Sequence, residues 1–341
     1  IEETHLSYIS NRGVPIALFF LKVNLKNPNA TIEALTPYND AEFALQKVRS
    51  MINYKNESEA DRQVVAASNG DYFHWTGEPD GAVHKNGQII KELPEKKFFF
   101  GIRDDGTAMI GDKRIYDNVK TTLEEAISGR FFLMHYGEIM TDHLKDTSIE
   151  PRTTVGVLSP EHVVFMWVDG RRTGHSAGLS LRDMASIYDA IGATDAINLD
   201  GGGSTTFVMR EKDGSYVPHN KPSDAAGERS VGNGLAVMMK SKILETGSAK
   251  KGDAHNSAEE VFLYPSPVED HVNIFIEKEK NNPELTMTLT NANGFHLMRG
   301  EGSLEQINEQ VNKQISNLEP GIYIIKVKGK NGTYSSRLMK K

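Results

Sequence analysis

The run Ala196-Ile197-Asn198-Leu199-Asp200-Gly201-Gly202-Gly203-Ser204-Thr205-Thr206-Phe207-Val208 concentrates the chemistry of this chain. Apolar residues lead into a carboxylate, three glycines strip side chains from the backbone, hydroxyls follow, and apolar residues resume. That order reads as a buried strand, a turn and a second strand. Adjacent glycines cost backbone entropy and are kept where positive φ or the close approach of a ligand requires them. The amides of Gly201, Gly202 and Gly203 are therefore expected to point at one anion, with the Ser204 hydroxyl beside them. Asp200 offers a carboxylate for nucleophilic or acid–base work. The alternative is a tight hairpin in which Asp200 and Ser204 only satisfy turn amides. A P-loop would need a Lys after the glycines, and a nucleophile elbow would frame Ser204 as Gly-x-Ser-x-Gly; neither pattern is present.

A second apolar run, Val163 to Val168, also ends in Asp-Gly, at Asp169-Gly170-Arg171. If the helix expected from Ser180 links the two runs in a right-handed crossover, the strands run parallel and both carboxylates emerge at one edge. Other polar groups stand at strand ends. Asn69-Gly70-Asp71-Tyr72-Phe73 follows the Val64 run, Arg152-Thr153-Thr154 precedes Val155, and Glu228-Arg229 precedes Gly234. Singly, each is an ordinary turn residue or surface ion pair. As a set they line a cleft offering carboxylates for acid–base chemistry and guanidinium groups for a phosphate. His84, His135, His175 and His219 lack the spacing of a metal motif, so no histidine-rich metal site is expected.

Two helices must help position these groups. One is expected between Asp40 and Asn53, capped by Asp40, with Ala41, Ala44, Leu45, Val48, Met51 and Ile52 on its buried face. The other starts at a capping box of Ser180 and Asp183, carries Leu181, Met184, Ala185, Tyr188 and Ile191, and stops at Gly192. Strands are expected at 16–25, 31–35, 64–68, 98–103, 131–134, 155–158, 163–168 and 234–239. The class is α+β, with many-stranded mixed, largely antiparallel sheets and two long helices. The polar stretch 244–258 reads as a linker between this first part, 1–243, and a tail, 259–341. The tail shows strands at 261–264, 272–276, 285–290 and 322–327, with turns at Asn293-Gly294, Pro320-Gly321 and Asn331-Gly332, and reads as a small β-sandwich.

With 341 residues and 38% hydrophobic content, the chain can bury two cores. A net charge of -7 with interspersed signs offers no basic face for a phosphate backbone, so nucleic acid is not an expected partner. No apolar run reaches the roughly 20 residues of a membrane span, and none resembles a leader at Ile1, so an exported form would be the processed one. Zero cysteines remove disulfides, thiolate metal sites and a Cys nucleophile together.

Residues 1 to about 243 resemble the phosphodiester glycosidase family. The resemblance is carried by Asn69-Gly70-Asp71-Tyr72-Phe73, Pro151-Arg152-Thr153-Thr154-Val155-Gly156, Val168-Asp169-Gly170-Arg171, Gly178-Leu179-Ser180-Leu181, the Asp200 glycine run, Asn220-Lys221-Pro222 and Gly227-Glu228-Arg229. It implies hydrolysis of a sugar joined through its anomeric oxygen to phosphate, as in N-acetylglucosamine 1-phosphodiesters, giving free sugar and a phosphate monoester. On that reading Asp200 is the essential carboxylate, with Asp169 or Glu228 as the second. Arg152 and Arg229 would hold the phosphate, and Gly201, Gly202, Gly203 and Ser204 would complete the anion site or grip sugar hydroxyls. Asn69, Asp71, Thr153, Arg171 and Asn198 would line the rest. The family often has Gly where this chain has Asp71, and Arg171-Arg172-Thr173 with His175 also varies there, so these positions bear on which sugar is taken. No cofactor is expected, and a divalent cation is left open.

The tail resembles the C-terminal sorting domain of type IX secretion, through Leu263-Tyr264-Pro265-Ser266-Pro267, Val272-Asn273-Ile274, Leu318-Glu319-Pro320-Gly321-Ile322-Tyr323 and the basic end Lys340-Lys341. That implies sorting machinery as a partner and a secreted or outer-surface location in a Gram-negative bacterium. A plain β-sandwich binding module is the alternative for this part. For the whole chain, the competing readings are a phosphodiesterase cutting P–O and a non-catalytic glycan-binding surface protein.

Overall fold

A computed structural model describes residues 1–59, 61–240, 262–264, 268, 270–276, 279, 282–291, 296–330 and 332–340. It comprises two compact units, Ile1–Ala249 and Lys250–Lys341. The expected 244–258 linker and the Asn293-Gly294 turn lie outside the described residues, as does Asn331.

Side chains alternate across a strand, so the apolar run 163–168 must bury two faces. Val163, Phe165 and Trp167 enter one core, while Val164, Met166 and Val168 enter another. Such a strand belongs in the middle of a covered sheet. His162–Val168 is third in a seven-stranded sheet ordered Glu2–Ile9, Pro15–Asn24, His162–Val168, Arg152–Ser159, Asp195–Asn198, Phe131–His135 and Glu138–Ile139. Arg152–Ser159 is antiparallel to both of its neighbours, so His162–Val168 and Asp195–Asn198 run the same way. Asp169, Asp200 and the start of the middle strand at Arg152 thus gather at one sheet edge.

A five-stranded sheet packs on this one, ordered Tyr216–Pro218, Phe207–Arg210, Arg62–Asn69, Gly234–Lys240 and Ala30–Leu35. The join lies directly beneath the site. Trp167 stacks on Phe207 with ring centroids 4.0 Å apart, and its indole N–H donates to Ser68 Oγ at 2.8 Å. A third sheet, Gln88–Lys91, Val83–Lys85, Leu123–Gly129, Phe98–Arg103 and Ala108–Asp112, sends Phe100, Ile102, Ile110 and Ile127 into the same core.

The helix Leu181–Ala190 starts at the expected capping box and covers the outer face of the seven-stranded sheet with Leu181, Met184, Ala185 and Tyr188. The helix expected from Asp40 instead spans Val48–Ser58. Residues before it stay extended because Gln46 pairs with Val231 across a β-bridge and its side chain accepts the Tyr38 amide at 2.8 Å. Phe43 and Leu45 are left 39% and 38% exposed, so the apolar stripe read there was not a helix face.

In the second unit a four-stranded sheet, His296–Gly302, Leu285–Asn291, Gly321–Lys328 and Thr333–Lys340, is accompanied by the pair Phe262–Tyr264 and Asn273–Phe275. The all-β expectation needs one correction. Leu304–Ile315 is a helix with its own capping box at Ser303 and Gln306, and it buries Ile307, Val311 and Ile315 in this unit's core. The whole remains α+β.

Candidate active site

Asn69 closes its strand fully buried, and every polar atom of its side chain is used. Its Nδ2 donates to the Asp200 carbonyl at 2.6 Å, and its Oδ1 accepts from Thr153 Oγ1 at 2.9 Å and the Thr206 amide at 3.0 Å. The Asp200 amide donates to the Gly70 carbonyl at 2.9 Å, and the Leu199 amide to the Thr153 carbonyl at 2.9 Å. Asn69 and Thr153, expected among the substrate contacts, are a clamp beneath the loop. They fix the Asp200 backbone between two sheets.

Burial pushes the Asp200 carboxyl up to about 6, while the Ser204 hydroxyl, the Gly201 amide and the Arg229 charge pull the other way. A carboxyl held there exchanges its proton near neutrality, which suits a base or a nucleophile. Tyr72 belongs to the same group. Burial first, and then the Asp200 charge, raise its hydroxyl to about 12, against the opposing charges of Arg152 and Arg130. Asn198 Nδ2 donates to the Tyr72 hydroxyl at 2.9 Å, and Asn198 Oδ1 accepts the Phe131 amide at 2.8 Å. The Arg130 guanidinium lies 4.9 Å from the Tyr72 ring centroid. Among the described residues Arg130 has no ion-pair partner.

The glycines make room for cations. A Cβ on Gly202, whose φ is +60°, would sit 3.2 Å from Arg171 Nη2, and one on Gly203 would sit 2.1 Å from Arg229 Nη2. Two guanidinium groups thus lie against bare backbone. The expected nest of three amides is not formed, because the Gly202 amide donates to the Pro151 carbonyl at 2.9 Å and the Gly201 amide bonds the Asp200 carboxylate. Arg229 is aligned by two bonds to Asp224, at 2.8 and 3.0 Å, and reaches Ser204 Oγ at 3.5 Å. Arg171 is held by Glu150.

Three other candidates are occupied by protein partners. Asp169 Oδ1 accepts from Asn220 Nδ2 and the Lys221 amide, each at 3.0 Å, and Oδ2 bonds His175 Nε2 at 2.7 Å. Glu228 binds the Arg49 amide at 3.0 Å and its Nε at 2.7 Å, tying the Val48–Ser58 helix to the 220s loop. Both carboxylates are thus engaged by partners from the chain itself. Arg152 is buried, spending Nε on the Leu179 carbonyl at 3.2 Å and Nη2 on the Ser148 carbonyl at 2.7 Å, with Asp146 3.7 Å from Nη1. It supplies charge from behind the wall.

Asp71 sits deep beside this group. Its Oδ2 accepts the Gly81 amide at 2.7 Å, its Oδ1 is buried without a partner, and burial raises it to about 7. Thr205 Oγ1, Thr206 Oγ1 and Asn233 Nδ2 are also buried and unpartnered. Orphaned polar atoms of this kind mark places where water or substrate completes the bonding. Among the described residues no group of three or more acidic or His side chains is placed to hold a metal ion.

Sequence reading did not single out Tyr72 and Arg130, which the fold places against Asn198. Tyr72 stood inside a quoted motif, so its adjacency to Asp71 was a usable signal. Arg130 had none, because only the pairing of Phe131–His135 with Asp195–Asn198 brings it to Asn198, whose carbonyl accepts the Arg130 amide at 3.1 Å.

Residues 62–238 match the family of phosphodiester glycosidases. The chain belongs to that family. Residues 262–341 match the secretion system C-terminal sorting domain, which marks an exported protein. The bovine N-acetylglucosamine-1-phosphodiester alpha-N-acetylglucosaminidase is 28% identical over 242 residues, covering 65% of this chain and 43% of that protein. The mouse protein of the same name is 31% identical, with 65% and 44% covered. The chain thus spans less than half the length of these relatives. The catalytic domain of the zebrafish protein of that name, auto-inhibited by pro-peptide, superposes with a TM-score of 0.52 at 21% identity, covering 69% of this chain and 82% of that one. At that identity it shows the shared fold. Among the described residues no helix is long and apolar enough to cross a membrane.

Proposed function

We propose that this phosphodiester glycosidase hydrolyses sugar-1-phosphodiesters by cleaving the bond between the anomeric carbon and the phosphate oxygen, releasing free sugar and a phosphate monoester. The observation that carries the reading is one buried carboxyl raised to about 6, flanked by guanidinium groups packed on glycine backbone. Asp200 is the nucleophile, or the base that activates water, at the anomeric carbon. Arg130, Arg171 and Arg229 stabilise the departing phosphate, whose charge grows as the bond breaks. Such a leaving group is a stable anion and needs little proton donation, so a single strong carboxylate suffices. Tyr72 and Asn198 orient the sugar, and Asp71, protonated below about 7, can donate to one of its hydroxyls. Relatives whose names specify N-acetylglucosamine support that sugar as the first to try. The tail supports delivery by type IX secretion to the medium or outer surface of a Gram-negative cell.

Turnover of an N-acetylglucosamine 1-phosphodiester tests the reading. Asp200→Asn is nearly isosteric and is expected to cut kcat by roughly a thousandfold or more while leaving the fold intact. In the wild type, kcat rises with pH about a midpoint near 6, as Asp200 ionises. An Asn variant within tenfold of wild type would return Asp200 to a turn role.

A further inference from the structure

The arginines around the Asp200 loop divide by what faces them. Arg171 pairs with Glu150 and Arg229 with Asp224, so each pair brings directed N–H groups and no net charge. A bound phosphate needs charge as well as donors. Arg172 is placed to supply it. Half-buried, it has no ion-pair partner among the described residues. Its Nη2 donates to a neutral acceptor, the Pro222 carbonyl, at 2.5 Å, and its Nε is buried without a partner. Taking a guanidinium out of water to face only a carbonyl costs free energy, which an arriving anion offsets.

Both ends of this contact lead to the glycine run. On one side Arg172 follows Arg171, whose Nη2 lies 3.2 Å from where a Gly202 Cβ would stand. On the other, Pro222 shortly precedes Asp224, whose Oδ1 lies 2.2 Å from the Gly203 Cβ position. The charge of Asp224 acts on Arg171, and that of Arg229 on Asp200. The segment leading to Pro222 is pinned by Asp169, which accepts the Lys221 amide and Asn220 Nδ2, each at 3.0 Å. Asn220 Nδ2 also donates to the Thr205 carbonyl at 3.1 Å, which ties the segment to the far end of the glycine run. Ser223 stands between Pro222 and Asp224, and its Oγ is buried and unpartnered. A buried N–H and a buried hydroxyl without partners, on loops joined at Pro222, mark a place that a ligand oxygen completes.

We infer that Arg172 and Ser223 form an anion subsite for the phosphate, in which Arg172 answers the second negative charge gained when a diester becomes a monoester. The inference rests on the proposed hydrolysis and deepens it. A diester carries one charge, and a monoester carries close to two above its second pKa of about 6. The subsite therefore favours the phosphate product over the substrate, and the product is an inhibitor. Arg172 binds and takes no part in bond breaking.

Calorimetry at pH 8 with methyl phosphate, a dianion, and dimethyl phosphate, a monoanion, tests the subsite without turnover. The wild type is expected to bind methyl phosphate about tenfold more tightly than dimethyl phosphate, and Arg172→Gln is expected to lose that preference. An unchanged preference in Arg172→Gln, or a wild type that binds neither ester, overturns the subsite. Arg172→Lys keeps the charge and is expected to keep the preference; its loss there overturns the role of charge. Ser223→Ala leaves the Arg172 bond to Pro222 in place and is expected to weaken methyl phosphate about fivefold. An affinity equal to wild type removes Ser223 and overturns the pairing. Hydrolysis is read separately, on the N-acetylglucosamine 1-phosphodiester of methanol. If the wild type does not turn that diester over, the hydrolase reading falls, and the binding preference alone decides the subsite.

Discussion

Asp200 titrates near 6 and Asp71 near 7 because each carboxyl loses hydration that its few hydrogen bonds do not replace. In both cases the folded-state value lies above the ordinary carboxylate value of 3.8. The folded chain therefore binds the proton more tightly than the unfolded chain does. Stability contributed by these groups is complete at acid pH and declines as pH climbs through about 6 for Asp200 and about 7 for Asp71. Asp200→Asn and Asp71→Asn are expected to raise the melting temperature at pH 8, by about 2–4 °C per kcal/mol relieved, and to lose that advantage below pH ~4. Thermal melts across pH check this, and an Asn variant less stable than wild type at pH 8 would contradict it. The arginines divide in the same physical terms. Arg130→Gln removes an exposed cation without an ion pair among the described residues, and is expected to lower kcat/KM about a hundredfold at nearly constant melting temperature. Arg152→Gln breaks buried bonds to Leu179 and Ser148 and is expected to lower the melting temperature. The reverse pattern would exchange their roles.

Strands with apolar alternation or apolar runs were legible as elements. The 98–103 run matches Phe98–Arg103, and the paired Asp-Gly ends did meet at one edge, because a single intervening antiparallel strand sets their direction. Glu2–Ile9 escaped notice because it lies at a sheet edge with most side chains in water, so Glu, Thr, His and Ser carry no pattern. The 40–47 stretch misled by periodicity alone, since a long-range pairing of Gln46 with Val231 outcompeted local helix formation. Within the site, the Asp200 loop was legible as a special turn, but its mode was not. Glycine amides were expected to bind the anion, whereas Gly202 and Gly203 instead admit Arg171 and Arg229. Only tertiary structure shows which side chain fills the space that a glycine vacates. Gly203→Ala tests this directly, because its Cβ would fall 2.1 Å from Arg229 Nη2 and 2.2 Å from Asp224 Oδ1. Turnover is expected to drop at least tenfold through displacement of Arg229, with the far-ultraviolet circular dichroism spectrum retained. Wild-type turnover would show that Arg229 does not meet the phosphate.

Across the whole molecule, three sheets converge on one core in the first unit, and the Trp167, Phe207 and Ser68 contact fixes two of them at the strand ends that carry the site. The second unit has a separate core and matches a secretion sorting domain. That arrangement places the proposed chemistry in the family domain and leaves export to the tail. The central claim is which bond the cleft breaks, and hydrolysis in water enriched in oxygen-18 reads it directly. Attack at the anomeric carbon, assisted by Asp200 and by guanidinium groups on the departing phosphate, places the new oxygen on the sugar. The mass spectrum is then expected to show labelled N-acetylglucosamine and an unlabelled phosphate monoester. Label in the phosphate product would show cleavage of P–O and contradict the glycosidase assignment.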